Sequence, residues 1–155
     1  MCSYCGCQSI AVIGLLTDQH EEIINKMGLV RRAAEKSDTP LTRTLALELA
    51  NLLNPHVVLE ENGLFAALMS VDEFVEPLEK LTFEHRELDD LVERLIGGDL
   101  SVVDNLDTLL RNHISNEENG IFPAAAVTLD GEQWGQIEKE QGVVNMNLTF
   151  RIGTN

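Results

Sequence analysis

Two stretches of this chain are written in one register: His56-Val57-Val58-Leu59-Glu60-Glu61-Asn62-Gly63-Leu64-Phe65 and His113-Ile114-Ser115-Asn116-Glu117-Glu118-Asn119-Gly120-Ile121-Phe122. A lone His-x-x-x-Glu says little, because the i,i+4 spacing also suits an exposed pair on any helix surface. Two copies that share Glu-Glu-Asn-Gly-apolar-Phe say much more. They point to duplicated half-sites that face each other across a core built from helices.

The rest of the chain supplies those helices. Asp18, with Glu21 three residues on, has the form of a capping box. Ile23, Ile24, Met27 and Val30 follow at helical spacing, which predicts a first helix over about 18–36. Ser37-Asp38-Thr39-Pro40 is a turn, with Thr39 expected as N-cap and Pro40 in the first helical position. Leu41, Leu45, Leu49, Leu52 and Leu53 share one face of a second helix running to about Met69, with a kink expected at Pro55 beside His56. A third helix is expected from about Glu76 to Ile96, after the cap-like Ser70-Val71-Asp72-Glu73. The fourth follows Gly97-Gly98-Asp99 and carries Val102, Val103, Leu106, Leu109, Leu110 and Ile114, and Leu129-Asp130-Gly131 opens a short fifth that contains Trp134.

Short turns make sequential helices antiparallel neighbours. The expected fold class is therefore all-α, an antiparallel up-down-up-down four-helix bundle with a short C-terminal fifth helix. The chain divides into a Cys-containing N-terminal segment (1–16), the bundle (17–128), and a short helix with an extended tail (129–155). Ile10, Val12, Ile13, Leu15 and Leu16 are expected to pack along the outside of the bundle. Continuing apolar residues after Asn62-Gly63 and Asn119-Gly120 argue for local bends there rather than helix ends.

The four histidines turn the repeat into a geometric argument. His20 and His56 are centred on position 38, inside the first turn, and His85 and His113 on position 99, inside the third. Glu60 and His85 are centred between positions 72 and 73, inside the middle turn. In an antiparallel hairpin, residues equidistant from the turn sit at one height, because each residue rises about 1.5 Å. His20, His56, Glu60, His85, His113 and Glu117 thus fall in one layer of the bundle. Burying two carboxylates with four imidazoles is costly unless something compensates, and metal coordination is the simplest compensation. Phe65 and Phe122 are expected to line the bundle around this layer.

Imidazole with carboxylate and no thiolate suits iron, manganese or zinc better than a soft metal. Six ligands exceed what one tetrahedral ion needs and leave two octahedral ions unsaturated. The expected arrangement is two ions bridged by Glu60 and Glu117, with positions open to water or a small diatomic ligand. No Glu-x-x-His occurs in the sequence, which counts against a ferritin-like di-iron bundle.

Charge and composition narrow the partners. The 11 basic residues against 26 acidic ones give a formal charge of −15, which argues against nucleic acid or an anionic membrane surface. No apolar run is long enough to cross a bilayer and no secretory signal opens the chain, so a cytoplasmic protein is expected. Cys2, Cys5 and Cys7 all lie at the start with no cysteine elsewhere to pair with, so a disulfide-stapled secreted fold is not expected. Those thiols can form a reversible disulfide, relay electrons or iron, or simply belong to a reduced terminus.

His20 with Ile23, His56-x-x-x-Glu60, Glu84-His85 with Leu88, and His113-x-x-x-Glu117 together resemble the hemerythrin family, in its bacterial HHE cation-binding branch, over about Ile10 to Ala126. The Cys-rich start is similar to that of actinobacterial hemerythrin-like proteins. The resemblance implies a non-haem di-iron centre, oxo- or hydroxo-bridged, that binds or reacts with oxygen, peroxide or nitric oxide. The alternative it implies is an iron- or oxygen-sensing, iron-handling module without turnover. Oxygen-carrying members use a fifth histidine that this chain lacks. Either a carboxylate takes its place, with Glu61, Glu35 and Glu48 as candidates, or one iron has an extra open position, and a more open iron would favour redox turnover over reversible carriage.

Overall fold

The computed structural model of the protein describes residues 9–142, and within them every regular element is helical. Cys2, Cys5 and Cys7, and the alternating Met146-to-Ile152 stretch, lie outside the described residues. α1 spans Ala11–Glu35. α2 opens as Thr39–Val58, passes through π-helical Leu59–Phe65 and closes with Ala66–Leu68. α3 spans Asp72–Ile96. After a 3-10 turn at Leu100–Val102, α4 runs through Val103–Asn116, π-helical Glu117–Ile121 and Phe122–Thr128. α5 is Gly131–Glu140. The packed pairs α1–α2, α2–α3, α3–α4 and α4–α1 close an antiparallel four-helix bundle, and α5 lies against α1 and the π-helical part of α2.

α1 begins at Ala11 rather than at Asp18. Val12, Leu16, His20, Ile23, Met27 and Val30 form one continuous buried stripe at steps of three and four, so the helix is held by its apolar face well ahead of Asp18. Asp18 and Glu21 are merely exposed positions in its middle. The expectation that the segment from Ile10 to Leu16 packs outside the bundle is overturned for the same reason: Val12, Ile13, Leu15 and Leu16 are fully buried core residues.

Two boundaries differ in detail. Asp38, not Thr39, caps α2, its carboxylate accepting from the Leu41 N–H at 3.1 Å. Thr39 and Pro40 then occupy the first two helical positions. α3 starts at Asp72 rather than Glu76, with Asp72 and Glu73 placing negative charge at its N-terminus. Gly98, at φ +99°, turns the chain between α3 and α4 in a conformation that disfavours a side chain. α5 carries a full capping box: Asp130 accepts from the Gln133 N–H at 2.8 Å, and Gln133 accepts from the Asp130 N–H at 3.0 Å.

The bends expected at the two Asn-Gly pairs are π-helical turns, one in each copy of the repeat. Such turns fit one extra residue into a helix by i→i+5 hydrogen bonding, and in doing so re-aim the side chains around them. Pro55 sits inside α2 without ending it.

The core is divided. One apolar cluster contains Val12, Leu16, Leu64, Phe65, Leu78, Leu81, Phe122 and Trp134, and the other contains Ile23, Met27, Leu49, Leu88, Val92, Leu106 and Leu110. On each of α1 to α4 the candidate ligands fall between these two sets. The polar layer is thus sealed above and below by apolar packing, each buried Leu or Phe contributing about 1.5–3 kcal/mol. Among the described residues no helix is long and apolar enough to cross a membrane.

Candidate metal centre

His20 of α1, His56 and Glu60 of α2, His85 of α3, and His113 and Glu117 of α4 are all buried and meet in that layer. They form two overlapping groups with ligand atoms close enough to hold one ion each: His20, His56, Glu60 and Glu117, and Glu60, His85, His113 and Glu117. The two carboxylates belong to both groups. One Glu60 oxygen lies 3.0 Å from His56 Nε2 and 3.7 Å from His20 Nε2, while its other oxygen lies 3.0 Å from His85 Nε2. Glu117 mirrors it, with one oxygen 3.0 Å from His20 Nε2 and the other 2.9 Å from His113 Nε2.

The donor set fits metal ions on the geometry of its own atoms. His20 Nε2, His56 Nε2 and all four oxygens of Glu60 and Glu117 are buried yet make no well-formed hydrogen bond. Buried polar atoms are rarely left so, because an unsatisfied one costs about 1–3 kcal/mol. Six of them converging on one layer are oriented for a cation.

Without an ion, protons hold the layer together. Burial pushes the His20 imidazole down, but the carboxylates of Glu117, Glu118 and Glu60 outweigh burial and raise its pKa to about 11. His113 is likewise pushed down by burial and raised by Glu117, Glu60 and Glu84, to about 9. His85 also ends above its ordinary value: burial lowers it and the His113 charge opposes, but Glu60 and Glu61 prevail. Burial alone would raise Glu60, but His56, His20 and His85 hold it well below the usual carboxylate range. A bound cation would take the place of those protons.

A second set of side chains aims the first, and sequence reasoning missed it. His20 Nδ1 donates to Glu118 at 3.0 Å, His56 Nδ1 to Gln19 at 2.8 Å, His85 Nδ1 to Glu61 at 2.7 Å and His113 Nδ1 to Glu84 at 2.7 Å. Carboxylate and amide oxygens only accept, so each Nδ1 carries its proton and each Nε2 is turned to the layer. The bonds run in a ring: α1 orients a histidine of α2, α2 one of α3, α3 one of α4, and α4 one of α1. Every partner is the immediate neighbour of an inward residue, and the doubled Glu-Glu of each repeat was the visible signal. Phe122 stacks on the His20 ring at 5.6 Å and Phe65 on His85 at 5.8 Å, which completes the walls.

The three carboxylates weighed as a seventh ligand lie elsewhere. Glu61 accepts from His85 Nδ1, Glu35 pairs with Arg31, and Glu48 pairs with Lys26 on the surface. Beside the layer, Ile23, Leu53, Val57, Leu88, Leu110 and Ile114 bound a small apolar space of about 10 Å³, room for about one water-sized molecule. A groove of about 390 Å³ between α2 and α3 shares Leu53, Val57, His85 and Leu88 with it.

A four-helix bundle with two His/Glu groups that share both carboxylates has the donor set of a cation-binding domain. The family model described as Hemerythrin HHE cation binding domain matches residues 11–125, and the chain belongs to that family. Neither a curated relative nor a solved structure matches it.

Proposed function

We propose that His20, His56, Glu60, His85, His113 and Glu117 hold two iron ions bridged by the two glutamates, and that the centre binds or reacts with a small oxidant: oxygen, peroxide or nitric oxide. One observation carries this reading: each of the two buried carboxylates turns one oxygen to each histidine pair. Iron so held supplies redox equivalents and open coordination positions to the ligand. The chain's own residues orient the imidazoles, seal the layer from bulk water between two apolar clusters, and leave a space sized for a very small molecule. Oxygen transport as the main role is disfavoured, since four histidines and two carboxylates leave more open coordination than a carrier needs.

Metal analysis of protein from iron-replete cells tests the reading. Two irons per chain are expected, with an oxo-bridge absorption band after oxidation; a colourless protein holding one zinc would sink it. The sensing alternative draws on one contact, the packing of α5 against the π-helical turn that carries Glu60. Peroxide added to the iron-loaded protein separates the two, since sustained oxygen release marks turnover and stoichiometric bleaching marks sensing.

A further inference from the structure

The two halves of the bundle repeat each other around the site. His20 corresponds to His85, His56 to His113, Glu60 to Glu117, Glu61 to Glu118 and Phe65 to Phe122, with the same bonds and stacking in each half. At the position before the first histidine the repeat breaks. Glu84 receives the Nδ1–H of His113, but its counterpart Gln19 receives that of His56. Three histidines therefore donate to a carboxylate and one donates to a neutral amide.

We propose that Gln19 makes the two ion positions unequal, so that the position of His85 and His113 fills first and the position of His20 and His56 fills second and empties first. This rests on the two-ion reading above. A carboxylate on Nδ1 draws the proton toward itself and makes Nε2 a stronger donor, and it adds a negative charge close to the ion. An amide oxygen does the first weakly and the second not at all. Both rings of the His85 and His113 position have such a carboxylate; of the His20 and His56 pair, only His20 has one. Glu61 is the more exposed of the carboxylate partners and water screens it, so the difference rests mainly on Gln19 against the buried Glu84. Losing a partner of this kind lowers metal affinity by about 10- to 100-fold, which sets the expected gap between the positions. Gln19 is thus a positioning and tuning residue, not a ligand.

The test is a Co(II) titration of the metal-free full-length chain, followed by the contact-shifted Nδ1–H resonances of the four histidines. The first equivalent is expected to shift His85 and His113, and the second His20 and His56. Gln19→Glu is expected to close the gap by strengthening the weaker position, and Glu84→Gln to close it by weakening the stronger one about 10-fold. Circular dichroism of the metal-free variants guards against a merely structural effect: both are expected to keep the parent's helical fold, with Glu84→Gln melting lower because Glu84 supports the protonated His113. Equal sharing of the first equivalent in the parent, or an undiminished preference in Gln19→Glu, overturns the proposal. Uptake of a single ion overturns the two-ion reading instead, and stoichiometry tells the two failures apart.

Discussion

Gly63 and Gly120 occupy the same place in the two repeats, and the structure gives them opposite fates on substitution by alanine. A Cβ on Gly120 meets nothing within 4 Å, whereas one on Gly63 would lie 3.0 Å from Ile137 Cγ2 and 3.2 Å from Gln141 Cγ. Carbon atoms prefer about 3.5–4.0 Å, so α5 must retreat by roughly half an ångström or more. Both substitutions gain about 0.5–1 kcal/mol from lower chain entropy and better helix propensity. Gly63→Ala also incurs an overpacking penalty of about 1–3 kcal/mol, because Ile137 is itself buried in the core. The expected result is that Gly120→Ala stabilises by about 0.5–1 kcal/mol while Gly63→Ala destabilises by about 1–2. At a urea slope of about 1–3 kcal/mol/M the two midpoints should differ by roughly 1 M. Trp134 is the chain's only tryptophan and sits buried on α5, so its emission should shift to the red in Gly63→Ala alone. Two variants of equal stability, with Trp134 emission unchanged in both, would refute the assignment of Gly63 to the docking of α5.

Asp107 is buried and bonded by both Arg31 and Arg111 at 2.9 Å. Each arginine is about half exposed, so Arg31→Ala or Arg111→Ala alone should cost under about 1 kcal/mol in urea unfolding. The double variant strands a buried carboxylate and should cost clearly more than the sum; simple additivity would count against this account. For pH, His20 is raised from 6.5 to about 11, so its contribution to the metal-free fold is complete below about 6.5 and is lost as the pH rises through about 11. Glu60 acts with the opposite sense, its contribution being present above about 4.5 and lost as the pH falls toward its depressed value. Thermal melts of the metal-free chain should therefore decline on the alkaline side of neutrality, and a melting temperature that rises from pH 7 to 10 would contradict the burial of a protonated His20. Val57→Phe, at a residue that lines both the groove and the small apolar space, should slow azide binding to the oxidised iron-loaded protein several-fold in stopped-flow absorbance. An unchanged rate would place the route of entry elsewhere.

The height of the site was legible because helix rise converts residue number directly into distance. Positions counted from a turn locate His20, His56, Glu60, His85, His113 and Glu117 in one layer without knowledge of any side chain. The partners of the rings were harder. Gln19, Glu61, Glu84 and Glu118 stand next to inward residues, and a neighbour on a helix is turned by about 100°. Apolar periodicity marks which residues face the core, but not which of the flanking ones reach sideways to the next helix. The start of α1 was hidden for a different reason. A local capping pattern at Asp18 competed with a long-range stripe through Val12 and Leu16, and burial of the stripe won.

The ring of Nδ1 bonds also has a sequence in time. His56 meets Gln19 within the first hairpin, but the carboxylate that aims His20 arrives with Glu118, 98 residues after it. As the chain leaves the ribosome, its early histidines are present long before they are all aimed, and α1 and α2 together bring only Glu60 of the two carboxylates shared by both His/Glu groups. The ring of bonds and both His/Glu groups are thus complete only once α4 has been made and closed against α1.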